Sequence, residues 1–177
     1  MGAHAALLPI SWGPVDKKLI SQGPSDVFPV VQGMNLEGDK MILPQGLTGA
    51  LNIVIVAFKR EQQEDVDTWI KALEAYIQDN PKIKLYELPT LKTFNLLMRF
   101  NINNGMRYGI PNKQSRKQTI TLYIDKKSFK SRLLIPNEDH IQILLLNNAG
   151  KIFWRASGLA SQEKIKALKT KIKLVKG

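Results

Sequence analysis

Apolar residues recur along this chain in two periods, and the switching between them predicts most of its elements. Residues 51–58, LNIVIVAF, are largely β-branched and apolar on both faces, the pattern of a central strand covered from both sides. Val66, Trp69, Ile70, Leu73 and Ile77 then fall at three- and four-residue steps, which predicts an amphipathic helix. Glu61, Glu64 and Asp65 near its start favour the positive end of the helix dipole, and Asn80–Pro81 stops it. IKLYELP, from Ile83, reads as a second strand. A second helix is expected from about Leu91, with Phe94, Leu97, Met98 and Asn101 near one face, ended by Asn103–Asn104–Gly105. TITLYID, residues 119–125, predicts a third strand and KKSFKSRLLI a short helix or turn. IQILLL, residues 141–146, and KIFWRAS form a hairpin around a turn at Asn147–Gly150. The last helix starts near Ser161, with Ile165, Leu168, Ile172 and Val175 as its apolar positions.

Ahead of these elements, VFPVV is a short apolar run, and Glu37–Gly38–Asp39 turns between two short strands. Residues 1–25 hold Pro9, Gly13, Pro14, Gly23 and Pro24, and no apolar period survives that punctuation; an extended or flexible arm is expected there, with residues 26–177 as the folded domain. An N-terminal hairpin followed by alternating strands and helices, with a hairpin and a helix at the end, predicts a three-layer α/β domain with a mixed central sheet and a C-terminal helix. No internal repeat is visible.

Composition narrows the chemistry. The 177 residues include 44% hydrophobic ones, enough for a real core. No window approaches about 18 uninterrupted apolar residues, so no membrane-spanning helix is expected. The opening MGAHAALLPIS lacks the basic region and long apolar run of a secretory signal. The absence of cysteine excludes disulfides, thiolate metal sites, iron–sulfur clusters and cysteine nucleophiles. His4 and His140 are the only histidines, without HExxH-like spacing, so neither a metal nor another cofactor is expected. His140, just before an apolar strand, reads as a structural histidine.

Charge changes the picture further. The net charge of +11 lies in two stretches: residues 111–132 carry +6 and residues 161–177 carry +5. Residues 61–79 are acidic, so the molecule is polarised. Lys164, Lys166, Lys171 and Lys173 flank the apolar stripe of the last helix. They read as a solvated face or as a contact with an anionic membrane surface. Nucleic acid is the less favoured partner, because residues 155–177 contain no Phe, Tyr or Trp on which bases would stack.

The element order resembles the thioredoxin-like fold in its peroxiredoxin-type layout over roughly Val27 to Val175. That layout places redox cysteines just after the first central strand; here the position reads Lys59, Arg60, Glu61, Gln62, Gln63, Glu64. It also places a cis-proline before the penultimate strand, where this chain has Asp139–His140 and its nearest proline is Pro136. Within the superfamily, three stretches are similar to the mitochondrial ATP-synthase assembly factor ten family. These are MRYGIPN at 106–112, SRLLIPN at 131–137 and GKIFWRASGLASQEKIKAL at 150–168, in that family's order and spacing. The resemblance implies a redox-inactive thioredoxin-like protein that helps subunits of a membrane complex assemble, with no thiol oxidoreductase or peroxidase activity. It also implies an exported or membrane-surface location.

Individual residues carry competing readings. Glu61 and Glu64 are a carboxylate pair at the degenerate redox loop, or simply an acidic helix start. Together with Arg155 they form the alternative, an enzyme with a non-thiol carboxylate and arginine site. Trp69 and Trp154 read as core, with strand alternation sending Phe153 and Arg155 to the face opposite Trp154. Arg107 and Tyr108 mark a partner-binding loop or a packed anchor, and Arg155 is a further candidate partner contact. The favoured function is protein binding in assembly or chaperone-like work.

Overall fold

A computed structural model describes residues 26–92 and 94–176; the arm expected at 1–25 lies outside them. Seven strands form one mixed sheet. They are β1 (Val31–Asn35), β2 (Lys40–Leu43), β3 (Leu51–Ala57), β4 (Ile83–Leu91), β5 (Ile120–Tyr123), β6 (Gln142–Leu146) and β7 (Ile152–Ser157), in the spatial order β2-β1-β5-β4-β3-β6-β7. β3 pairs parallel with β4, and β4 with β5, while the remaining pairs are antiparallel. The helices are α1 (Gln63–Gln78), α2 (Leu96–Gly109), α3 (Lys113–Gln118), α4 (Lys126–Leu133) and α5 (Gln162–Lys176).

All seven residues of β3 are buried, as an apolar strand flanked on both faces must be. Two cores result. Val54, Val56, Tyr86, Leu88, Ile120 and Leu122 face α4, whose Phe129 and Leu133 complete that layer. Ile53, Ile55, Ile83, Ile143 and Leu145 face α1 and α5. On α1 the stripe of Val66, Trp69 and Leu73 is fully buried, and the Trp69 indole N–H donates to the Gly158 carbonyl at 2.8 Å. Asp125 starts α4 by accepting from the Lys127 N–H at 3.0 Å.

Several local expectations are corrected. β4 continues through Leu91, so α2 starts at Leu96, capped by the Asn95 side chain, which accepts from Met98 N at 2.9 Å. It does not stop at Asn103–Asn104–Gly105 but runs to Gly109: Asn103 is its one buried residue, and accepts from the Tyr123 hydroxyl at 2.9 Å. Leu97, Met98 and Asn101 are exposed rather than core-facing. On β7, a bulge opposite Leu145–Leu146 breaks the strict alternation, so Phe153 and half-buried Trp154 both pack on the α1/α5 core. Trp154 meets Trp69 edge-on, with ring centres 6.3 Å apart. α3 lies in a stretch for which no element was expected; Asn112 caps it by accepting from Ser115 N. His140, ahead of β6, is exposed.

Candidate functional site

The end of β3 leads into the position where the fold places redox thiols. After Phe58 the chain makes one 3-10 turn, Arg60–Gln62, and enters α1. Gln62 is buried there, and its side chain is fully engaged across the turn. Its Oε1 accepts from Phe58 N at 2.8 Å and from Lys59 N at 3.2 Å, and its Nε2 donates to the Glu138 carbonyl at 2.7 Å. One amide thus ties the end of β3 to the loop that enters β6. That loop is held again through charge. The Glu138 carboxylate pairs with Lys126 at 2.5 Å and Lys130 at 2.9 Å, and Lys126 also donates to the Phe58 carbonyl at 3.3 Å. Burial pushes the Glu138 pKa up, but the hydrogen bonds from the two lysines outweigh it and hold the carboxyl below its usual range. Lys59 and Asp139 add an exposed pair at 3.5 Å, of little energetic weight.

Of the loop residues singled out from sequence, Arg60, Glu61, Gln63 and Glu64 are exposed, and Gln62 alone turns inward. The structure does not set Arg155 beside the carboxylates of α1. Its guanidinium donates to the Leu133 carbonyl at the end of α4 at 2.5 Å, while Glu61 of the 3-10 turn and Glu64 of the first turn of α1 are exposed. Burial lowers the Arg155 pKa, and Asp26 opposes that shift. The cis X–Pro bond among the described residues is Leu43–Pro44, after β2, and not at the entrance to β6.

Arg107 and Tyr108 occupy the last turn of α2 rather than a loop, and Tyr108 is 90% exposed, so it anchors nothing. Arg107 reaches back to the hairpin turn, with Nη1 3.4 Å from the Leu36 carbonyl and Nη2 3.7 Å from Glu37. Arg116 of α3 binds the same Glu37 carboxylate at 2.6 Å and donates to the carbonyls of Ile110 and Pro111. The hydrogen bond from Arg116 is the main reason the Glu37 carboxyl sits below its ordinary pKa. Arg107 of MRYGIPN and Arg116 of α3 thus fasten α2 and α3 to the β1–β2 turn, and Arg116 also holds the Ile110–Pro111 carbonyls of that motif. On α5, Lys164 is spent on the carbonyls of Ser157 and Leu159, both at 2.7 Å. Lys171 is half-buried, while Lys166 and Lys173 stand in solvent.

Sequence reasoning passed over one carboxylate. Glu87 of β4 is 6% exposed and lines a cavity of about 600 Å³ with Gln63, Asp67, Ile70, Ile110 and Pro111. Burial, assisted by the Asp67 charge and opposed by a hydrogen bond from Gln63, pushes its pKa up to about 7. Such a carboxyl is able to exchange a proton near neutrality. Its signal in the sequence was an acidic residue at an inward position of the apolar strand IKLYELP. Gln62 gave no comparable signal, since one glutamine among exposed polar residues has no periodicity to betray it.

The sequence profile of the ATP10 protein family matches residues 15–175. The chain belongs to the ATP10 family. Comparison with curated protein sequences finds no match. Among solved structures, the ATP10-family chain is similar to the thioredoxin domain of a thiol-disulfide oxidoreductase from Bacteroides vulgatus. That pair shares 16% identity with a TM-score of 0.52, covering 85% of this chain and 97% of that one. It is also similar to ScoI of Arabidopsis thaliana with copper bound, at 12% identity and TM-score 0.56 over 84% of this chain and 99% of that one. BsSco, a member of the Sco family of cytochrome c oxidase assembly proteins, matches at 11% identity and TM-score 0.55, over 84% and 94%. At these identities the likeness establishes the thioredoxin-like fold, in which this ATP10-family chain carries no cysteine.

Proposed function

We propose that this chain is a redox-inactive assembly factor that works by binding other proteins, its client a subunit of a membrane complex such as the ATP synthase. Gln62 carries the reading. It stands where the fold's redox thiols would sit, and its amide is engaged by two backbone N–H groups and one carbonyl, which makes that corner a structural joint. The chain has no cysteine, so thiol chemistry is not available to it. Membership of the ATP10 family supports the assembly role. In this reading Arg107, Tyr108 and the exposed Lys166 and Lys173 are contacts, the first two for protein and the lysines for an anionic membrane surface.

The test is crosslinking capture of the tagged protein from its own cells, followed by mass spectrometry. Recovery of ATP-synthase membrane subunits, or of subunits of another membrane complex, is expected. Recovery of nucleoprotein, or of no specific protein, would overturn the reading.

A further inference from the structure

α2 packs on the sheet in an unusual way. A helix of this length normally buries an apolar stripe. Here the one buried residue is Asn103, and Leu96, Leu97, Phe100 and Tyr108 are turned out, at 82%, 71%, 62% and 90% exposure. Between α2 and the outer part of the sheet lies a groove of about 850 Å³. Leu96, Phe100, Asn103 and Arg107, spaced four, three and four residues apart, form its α2 wall. Met34 and Ile42 of the N-terminal hairpin supply apolar surface opposite.

The floor of the groove is unfinished. Thr121 Oγ1 and Asn103 Nδ2 are both buried, both belong to residues lining the groove, and neither has a hydrogen-bond partner among the described residues. Asn103 has already used its Oδ1 on the Tyr123 hydroxyl, so what it offers is a donor. Leaving such groups unpaired in a buried site is costly, and a bound group that accepts from Asn103 removes that penalty. The lining also carries Lys40, Arg99 and Arg107 and no carboxylate. An acyl chain laid along the floor would leave both polar atoms unpaired. Arg107 already reaches Glu37 and Arg99 the Phe94 carbonyl, so Lys40 is the lining cation left to face a ligand. A polypeptide that sends one acidic side chain to the floor, with apolar side chains on either side, satisfies the Asn103 donor, meets that positive lining and covers the apolar walls together.

We propose that the groove between α2 and the β1–β2 hairpin is a docking site for an apolar polypeptide segment bearing one carboxylate side chain, which accepts from the Asn103 amide. The proposal rests on the assembly-factor reading and names the surface it would use.

The experiment selects a random 12-residue peptide display library on the full chain and, in parallel, on the Phe100→Asp variant. Phe100 is exposed, so this variant keeps its fold, and its thermal midpoint is checked against that of the parent. Apolar peptides with a central Asp or Glu should be enriched on the parent. The selected peptide should bind at least tenfold more weakly to Phe100→Asp, lose affinity when its acid is replaced by leucine, and shift the Asn103 side-chain NH₂ resonances. Equal enrichment on both proteins, no enrichment, or a consensus without an acid would overturn the proposal. So would unmoved Asn103 resonances, which would leave an ordered water as the partner of the floor. Vesicles of phosphatidylglycerol that shift those resonances where peptides do not would replace the proposal with a lipid site. Crosslinking capture repeated with Phe100→Asp separates the two levels: undiminished recovery of the client leaves the assembly reading standing and removes the groove.

Discussion

Replacing Glu87 with glutamine should stabilise the protein at alkaline pH and leave it nearly unchanged in acid. Glu87 lies on β4 at 6% exposure, with the Asp67 carboxylate near enough to raise its pKa further. Its folded pKa of about 7 lies above the ordinary 4.5. A carboxyl raised in this way stays protonated in the folded state while it ionises in the unfolded one. Its contribution is therefore fully favourable below pH 4.5 and is lost as pH rises through 7. At about 1.4 kcal/mol per unit, the difference is about 3 kcal/mol by pH 8.5. Glutamine keeps the shape and removes the charge. Urea unfolding of the parent and Glu87→Gln, followed from pH 4 to pH 8.5, should show the variant gaining about 3 kcal/mol at the alkaline end. For a domain of this size, that is a rise in thermal midpoint of about 6–12 °C. A difference between the two proteins that does not change with pH would refute the burial argument.

Other perturbations follow from the same contacts. Gln62→Leu strands the N–H groups of Phe58 and Lys59 and the Glu138 carbonyl, and should cost about 3 kcal/mol in urea unfolding; a loss below about 1 kcal/mol would remove Gln62 as the joint. Gly33→Ala places a Cβ 2.5 Å from Ile120 Cγ2 and 2.7 Å from Leu122 Cδ2, and should destabilise by about 1–3 kcal/mol, read as a lower thermal midpoint; an unchanged midpoint would show that these side chains yield freely. Glu138, whose pKa is depressed, stabilises the fold above pH 4.5 and loses that contribution as pH falls through its folded value. Glu138→Gln should therefore destabilise at pH 7 and converge with the parent in acid, and a constant gap across that range would contradict the lysine pairing.

The central strand, α1, α4, the terminal hairpin and α5 were legible because each buries a face large enough to impose its period on the sequence. α2 was misread for the opposite reason. Its buried face is one asparagine, so apolar spacing pointed at the side that faces solvent, and Asn103–Asn104–Gly105 looked like a terminus although Asn103 is held by Tyr123 inside the helix. α3 is six residues long and buries none of them, so only its Asn112 cap could have announced it. The missing thiols were plain in the composition, and the sequence motifs located the family. What replaced the thiols was hidden, because the bonds of Gln62 and Glu138 span more than seventy residues in one case and join separate elements in the other. Arg155 and the carboxylates Glu61 and Glu64 were grouped by chemistry alone; in the fold Arg155 turns to the Leu133 carbonyl while Glu61 and Glu64 are exposed.

The most direct test of a redox-inactive assembly factor is deletion of its gene, with the ATP synthase then resolved on native gels and the strain complemented by the intact protein. Loss of fully assembled enzyme, with its individual subunits still synthesised, and recovery on complementation is the expected result. Normal assembly of the ATP synthase and of every other membrane complex in the deletion strain would contradict it.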